Sequence, residues 1–566
     1  MNQSIATTFT LRIEKLLSGN ALWVLGVLWA TVFVLYLPAA EAGRVGDFPG
    51  WVNFLNSVSF LDYINRKGSG IPSMYQLTQM ITWVFYQFFG SNAWLWHLLY
   101  ITLQALNACL LFVFFRRLFT NSGISGAPLI SFLGAFLFCV CPHISEVVVW
   151  EPSFHYLLGL LFIVLILIYT QKYLETGNNR FALLAGIIFF LSTYSLEVFY
   201  LTPLFVLTLG LYYRGVLYAD SSRIKGIIFR FLIPQVLLFL IHLALLHLIY
   251  HQTVAHIGAI SLDQNVANFS KPLKYIYHLV FLGRYFPAPL RASVYDFCES
   301  RTGLVIMYLG LVAVVFGLGI WFKKMQNVAK ATILLFVWTT LCVGLIMPLW
   351  FPPTGFVIYD RYTYMADGFV YFFLVLGLWQ LRSSIIFYPI IVIYILLNAR
   401  FTHKVNSYWK QSAHIVNNLV KTFPNDPTKK VLLLSLPECL DGVQMVGTRD
   451  DGEFRMMYNA TMPTKLTNPV YDVEAFYMQS PNDGAHVTVT NDSTLVITLN
   501  QWSTWWLYYG LGSTSYDNAD FKVNMKDEGH LYEVTLHHQA TEYLLLYSIG
   551  DQWHKVDWNK KGEDQY

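Results

Sequence analysis

The sequence predicts an α-helical polytopic membrane protein of about eleven spans, N-terminus inside and C-terminus outside, carrying a C-terminal β-rich soluble domain. Three observations predict it. Hydrophobic residues make up 55% of the 566 residues and charged residues only 13%, against roughly 25% charged in a soluble domain. Apolar stretches long enough to cross a hydrocarbon core of about 30 Å recur through the first two thirds of the chain. From residue 406 onward charged and polar residues return, and short apolar runs alternate between Asn, Asp, Gly and Pro turns. The chain therefore divides into a membrane domain, 1–405, and an extracytoplasmic β-rich domain, 406–566.

In chain order, Arg12 and Lys15 precede the first apolar stretch, 21–40. It is longer than the core of a secretion signal and reads as an anchor, although Ala39, Ala40 and Ala42 resemble a cleavage site. Further spans are predicted at 93–115, 127–141, 154–171, 181–196, 198–213, 229–250, 303–322, 331–350, 366–381 and 384–399. The stretch 181–213 is long for one untilted helix and short for two. Arg180 on one flank and Arg214, Arg223, Lys225 and Arg230 on the other belong on the cytoplasmic side, so the chain must go out and return, turning at 195–197. Arg116, Arg117, Lys172, Lys323, Lys324, Lys330 and Arg382 also fall on short inner segments. Outer cations such as Arg44, Lys271, Lys274, Arg284 and Arg291 lie mostly in two long loops, where the positive-inside rule is weak. Within those loops, 75–89 (YQLTQMITWVFYQFF) and 274–290 are expected to lie in the interface plane or to pack on the bundle. In the tail, strands are expected at 431–436, 485–490, 493–499, 531–536 and 542–548. The cluster Trp502, Trp505, Trp506, Tyr508 and Tyr509 could stack sugars, fill a sandwich core or form an interfacial belt.

Composition also excludes functions. A net charge of +3 over this length, with no long basic run, excludes nucleic acid as a partner. Of six cysteines, Cys109, Cys139, Cys141 and Cys342 lie in apolar stretches and read as small core residues, while Cys298 and Cys439 in loop and tail could pair. No metal-ligand spacing is present.

The acidic residues before position 400 gather on the outer side. Asp47 stands in a Gly- and Pro-fixed turn, 43–50 (GRVGDFPG). A solvated flank is the plain reading of such a carboxylate and a catalytic base the sharper one. The short outer loop 142–152 (PHISEVVVWEP), with His155 beyond it, offers His143 and Glu146 to a metal or a sugar hydroxyl. Glu197 sits in a tight apolar turn, where an ionisable group is costly and therefore functional or paired. In 360–364 (DRYTY), Arg361 provides a planar fork suited to phosphate, or else pairs locally with Asp360 or serves as an interfacial anchor.

Taken in order, 75–119 (YQLTQMITWVFYQFFGSNAWLWHLLYITLQALNACLLFVFFRRLF), 142–150 (PHISEVVVW), 195–197 (SLE), 360–364 (DRYTY) and 431–437 (VLLLSLP) resemble the membrane region of the GT-C glycosyltransferases. The nearest branch is the transmembrane and tetratricopeptide-repeat O-mannosyltransferases, the protein mannosyltransferase type, with their bacterial relatives. The resemblance covers roughly residues 20–440. The chain departs from that pattern where Asp47 lacks an acidic neighbour, where Leu196 replaces the usual Lys, and where the β-rich tail replaces the repeats.

The resemblance implies an inverting transfer of a sugar from a polyprenyl-phosphate donor to an acceptor hydroxyl, on protein or glycan, at the outer face of the bilayer. Asp47 would be the general base, and Arg361 would hold the departing phosphate. His143, Glu146, His155, Asp360 and Tyr362 would line the pocket, with Glu197 below it. Phosphate leaves readily, so no cofactor is expected and a divalent metal is optional. The absence of repeats and of a eukaryotic sorting signal points to a bacterial inner membrane with the site on the periplasmic side. Two other readings stay open. A transporter or flippase of a lipid-linked sugar could use the same acidic residues with His242 and His247 as part of a pathway. A non-catalytic scaffold could bind a partner through its outer domain.

Overall fold

The computed structural model describes residues 17, 19–40, 42, 46, 48–65, 74–195, 197–217, 220–251, 265–286, 288–321, 326–345, 360–381, 386–446, 453–499, 506–507, 515–527 and 530–566. Asp47, Leu196, Trp502, Trp505, Tyr508 and Tyr509 lie outside them.

A helix coincides with each predicted apolar stretch over its described part. Among the described residues six helices are long and apolar enough to cross a membrane: Ala21–Ala40, Ala93–Asn121, Phe154–Thr176, Ser221–Ile249, Asn327–Gly344 and Asp360–Leu381. Ala127–Cys139 and Pro142–Val149, bent by 51° at the break between them, make up to seven. The stretch 181–213 is divided into two helices, Asn179–Ser192 and Thr202–Val216, with a 3₁₀ turn at Glu197–Leu201 between them. At 14 and 15 residues, each rises only about 21–23 Å, short of a full hydrocarbon core. The segment 75–89 is the helix Gln76–Phe89. The segment 274–290 proves to be parts of two helices, Asn265–Phe281 and Ala288–Glu299, separated by a turn at Gly283–Tyr285.

The helix Ala93–Asn121 is the hub, packed against Ala21–Ala40, Ala127–Cys139 and Phe154–Thr176. An aromatic cluster fills the bundle: Phe115 lies 4.2 Å from Phe372, and the Trp338 ring meets Phe369 at 5.2 Å and Phe205 at 5.5 Å between centroids. Gly134 permits the close approach of the last span, because a Cβ there would come within 2.6 Å of Phe372. Lipid is as apolar as leucine, so packing of this kind and interhelical hydrogen bonds hold such a bundle together. Asn107 Nδ2 donates to the Leu157 carbonyl at 3.0 Å and to Tyr364 Oη at 3.1 Å, and Trp338 Nε1 donates to Thr208 Oγ1 at 2.8 Å. His242 is buried edge-on to Phe199 at 5.0 Å, a packing position.

The helix Phe387–Lys421 runs unbroken through the boundary expected at 405/406. Its apolar first half lies in the bundle, and its last turns enter the tail's own core through Ile415, Val416 and Leu419. The described tail forms three sheets. One is antiparallel, in the order Asp564–Gln565, His486–Val489, Thr494–Thr498, Leu531–Leu536, Phe521–Lys526 and Ser515–Asp517. In the second, Lys430–Leu433 runs parallel to both Tyr543–Ile549 and Val470–Asp472. In the third, Leu436–Leu440 runs parallel to Glu474–Met478. Strands lie on all five predicted runs, although 431–436 is divided between Lys430–Leu433 and Leu436–Leu440, which belong to different sheets; the parallel pairing and the remaining strands are what the sequence pattern did not convey. Cys439, Val443 and Tyr477 of the third sheet belong to the core of the membrane bundle, so this sheet is the seam between the two parts. All six cysteines are buried, and no disulfide joins Cys298 and Cys439.

At the seam Glu474 is only 2% exposed. Burial, opposed by the Ala475 amide and reinforced by the neighbouring Glu438 carboxylate, holds its carboxyl well above the usual range. A carboxyl with a raised folded-state pKa binds its proton more tightly in the folded chain. Its contribution to stability is therefore fully favourable below the unfolded value of about 4.3 and is lost as pH rises toward the folded value. Replacing Glu474→Gln is expected to flatten the fall in thermal midpoint between mildly acidic and mildly alkaline pH and to raise the midpoint at pH 8. An unchanged pH profile would show that the carboxyl does not titrate in this way.

Candidate functional site

The segment Pro142–Val149 is placed by the helix Phe387–Lys421. Asn406 donates to the Leu35 carbonyl at 2.8 Å and accepts from Ser145 Oγ at 2.7 Å, while Trp409 Nε1 donates to the same Ser145 Oγ at 3.1 Å. With Ser145 held from two sides, the next residue, Glu146, is presented to the turn Asp360–Thr363. Glu146 accepts from the Arg361 amide at 2.9 Å through one oxygen and from the Arg361 guanidinium through the other. Both side chains are buried. The guanidinium carbon lies 4.8 Å from the Trp150 ring centre and 4.9 Å from that of Tyr362, so two aromatic faces enclose it.

The Arg361 guanidinium pairs with Glu146, a partner from a distant segment of the chain. Asp360 turns toward His143, whose Nδ1 lies 3.6 Å from Asp360 Oδ2. The other ring nitrogen, Nε2, is 3.1 Å from the His278 carbonyl. Below them Thr363 donates to the Asp360 carbonyl at 2.8 Å and to Asp367 at 3.2 Å, and Cys141 Sγ stands 3.6 Å from Asp367.

Glu197 forms the far edge. Tyr75 Oη donates to Glu197 Oε2 at 2.6 Å, and the Tyr75 ring stacks on His155 at 5.4 Å. His155 continues to Tyr156 at 4.6 Å, and Tyr156 to Tyr362 edge-on at 6.3 Å. An aromatic ladder thus connects Glu197 to Arg361. The Leu77 amide, bonded to the Tyr194 carbonyl at 3.0 Å, and Thr78 Oγ1, bonded to the Ser195 carbonyl at 3.2 Å, fasten the helix Gln76–Phe89 to the same turn.

The structure therefore brings His143, Glu146, His155, Glu197, Asp360, Arg361 and Tyr362 into one constellation. It lies at the end of Phe154–Thr176 opposite to Lys172 and Glu175. Arg117 pairs with Glu175 at that other end, where Arg223 also donates to the Leu174 carbonyl at 2.9 Å. Asp47 is outside the described residues, but the chain on both sides of it is placed. The Gly46 amide donates to the Met445 carbonyl at 2.7 Å, and the helix Phe48–Ser57 packs against Glu453–Thr461 of the tail. Among the described residues no group of three or more His, Cys, Asp or Glu is arranged to hold a metal ion.

Sequence reasoning missed several members. Trp150 and Tyr75 lay in quoted segments with no role attached. Asp367 was legible as the one acidic residue within an otherwise apolar stretch, 364–378. The second long loop contributes more than interfacial anchors. His278 bonds Tyr295, Lys274 pairs with Glu299, and Tyr285 stacks on Phe401 at 4.4 Å. Burial, added to by the nearby Tyr362 and Tyr295 phenols and Glu146, holds the Tyr275 phenol well above its ordinary range. Chemically the site combines a fixed cation, a carboxylate-and-imidazole pair and a row of aromatic faces, a set suited to an anion carrying a polar ring.

No family model matches the chain, and no curated protein matches its sequence. The fold and site define a helical membrane protein with a buried ionic and aromatic centre at one end of its bundle.

Removing one partner of a buried pair leaves an uncompensated charge. Glu146→Ala is therefore expected to destabilise the protein by about 3–5 kcal/mol, and Glu146→Gln by less, since it can still accept from the Arg361 amide. Thermal unfolding in detergent measures the difference, and equal effects of the two substitutions would refute the pairing.

Proposed function

We propose that this chain is an inverting GT-C type glycosyltransferase that moves a sugar from a polyprenyl-phosphate donor to an acceptor hydroxyl, of protein or glycan, at the outer membrane face. The observation that carries the reading is the buried Arg361, oriented by Glu146 between Trp150 and Tyr362 at the end of the bundle. A lipid phosphate held at the membrane surface needs such a preorganised cation. The ladder Tyr362, Tyr156, His155 and Tyr75 leads from it and offers ring faces to a sugar.

In this reading Asp47 takes the proton of the acceptor hydroxyl as its oxygen attacks the anomeric carbon. The bond from that carbon to the phosphate oxygen breaks, the electron pair leaves with the phosphate, and Arg361 stabilises the charge that develops there. His143 and Asp360 flank the phosphate site, and Glu197 orients Tyr75 at the sugar end. The reaction needs no metal. The same proposal includes about eleven spans, the N-terminus inside and the C-terminal domain outside, in a bacterial inner membrane with the site facing the periplasm.

Purified protein supplied with radiolabelled polyprenyl-phosphate mannose, glucose or aminoarabinose is expected to release label from one of them. Asp47→Asn and Arg361→Ala should each lower release by roughly 10²-fold or more while the protein stays folded. Donor binding without release, unchanged in Asp47→Asn, would replace the transferase with a carrier or a scaffold. The sidedness has its own test: a protease-cleavable tag appended after Tyr566 should be cut from the outer side of intact spheroplasts, and protection there would reverse the topology.

A further inference from the structure

Asp367 is a carboxyl group to which the proposed reaction gives no task. It is 0% exposed and stands in the first turn of the helix Tyr364–Leu378, directly after the turn Asp360–Thr363 that carries Arg361. Its neighbours are a hydroxyl and a thiol. Oδ2 lies 3.2 Å from Thr363 Oγ1, and Oδ1 lies 3.6 Å from Cys141 Sγ. The imidazole of His143 turns one nitrogen toward Asp360 and the other to the His278 carbonyl, and neither bonds to Asp367. An ionised carboxylate in this position would be a buried charge with no charged donor, at a cost of several kcal/mol. The positive end of the helix returns at most about 2 kcal/mol of that.

Counting hydrogens leads to the same place. A threonine hydroxyl has one hydrogen and two lone pairs, and a carboxyl that takes up a proton becomes a donor. Thr363 Oγ1 is placed to donate both to the Asp360 carbonyl at 2.8 Å and to Asp367, but it has only one hydrogen to give. The carbonyl can only accept and is the nearer, so the hydrogen goes there. The contact with Asp367 is then a full bond only if the carboxyl is the donor. On the other side Tyr371 Oη donates to Cys141 Sγ at 2.8 Å, which leaves the thiol hydrogen for Asp367 Oδ1. With a proton on Oδ2 the bonds run in one direction, from Tyr371 to Cys141 to Asp367 to Thr363 to the Asp360 carbonyl, and each hydrogen is used once.

We propose that Asp367 is a positioning residue that works as a neutral carboxylic acid, donating to Thr363 and accepting from Cys141 and so tying the segment that bears His143 and Glu146 to the turn that bears Arg361. Cys141 and Thr363 belong to the same two segments as the Glu146 and Arg361 pair, so this tie acts in parallel with the ion pair and holds the cation from below. Loss of the proton would leave two acceptors facing one hydroxyl hydrogen and set a second carboxylate charge beside Asp360. The effect on a ligand rests on the reading of the site as one for a polyprenyl-phosphate donor; the state of the carboxyl does not.

The test uses the full chain in lipid nanodiscs. Asparagine has the shape of the protonated acid and keeps a donor for Thr363 and an acceptor for Cys141, whereas alanine keeps neither. Infrared spectroscopy reads the proton without any ligand. At neutral pH the wild type is expected to show the carbonyl stretch of a protonated carboxyl that Asp367→Asn lacks, and a difference spectrum without that band overturns the inference. The positioning role is read with polyprenyl phosphate as the probe. Asp367→Asn is expected to bind it within about twofold of the wild type and Asp367→Ala roughly tenfold more weakly, as for the loss of one or two hydrogen bonds. Thr363→Val, which keeps the shape and removes the hydroxyl, should reproduce the loss and provides the test if Asp367→Ala misfolds. Asparagine as harmful as alanine overturns the inference, because the site then needs the charge. Affinity unchanged in both Asp367→Ala and Thr363→Val overturns it as well. Failure of the wild type to bind the probe sinks the functional reading and not this one, which the infrared band and the thermal midpoints, near wild type for asparagine and lower for alanine, still decide.

Discussion

The pairing of Glu146 with Arg361 is the constraint on which the rest of the site depends. Both charges are buried at the end of an apolar bundle, where an ion costs several kcal/mol unless its partner and remaining hydrogen bonds are well placed. The chain meets that requirement by giving one carboxylate oxygen to the Arg361 amide and the other to its guanidinium. Two segments 215 positions apart are thereby locked together. Ser145, held by Asn406 and Trp409, fixes one side, and the turn that carries Asp360 toward His143 fixes the other. Once these are set, Trp150 and Tyr362 have no choice but to face the cation.

The same requirement ties the C-terminal domain to the bundle. The helix that supplies Asn406 and Trp409 continues into the hydrophobic core of the tail, so the site and the tail share one rigid element. The third sheet adds a second tie, because its residues enter the bundle core and its Met445 carbonyl holds Gly46. A division of the chain at 405/406 describes the change in composition well. The mechanical unit crosses it.

How much was legible depended on the range of the interaction. Apolar length and composition located the helices over the described parts of the predicted apolar stretches, because a span announces itself locally. Alternation located strands such as Thr494–Thr498, where one face is buried and the other wet, while Lys430–Leu433 showed as an unbroken apolar run, as a parallel strand covered on both faces should. The candidate residues Glu146, Glu197 and Arg361 were legible because an ionisable group in apolar surroundings has few innocent explanations. Partnership was not. Sequence offered Asp360, the adjacent residue, for Arg361, and nothing in residues 142–152 indicated that Glu146 would meet it. Tyr75 with Glu197 was likewise invisible, since tyrosine is not unusual at a membrane edge.

By itself, the sequence determined that the chain enters a membrane, which stretches are helical, where the polar β-rich region begins and which charged residues would be expensive to bury. Those are consequences of local hydrophobicity and periodicity, which act over a few turns. The tertiary structure decided which of those expensive residues meet, that the second long loop reaches the site, and that a helix shared with the C-terminal domain positions it. Such choices follow from packing and from the need of each buried charge for a counter-charge, and the groups that satisfy that need lie anywhere in the chain that the fold brings within a few ångströms.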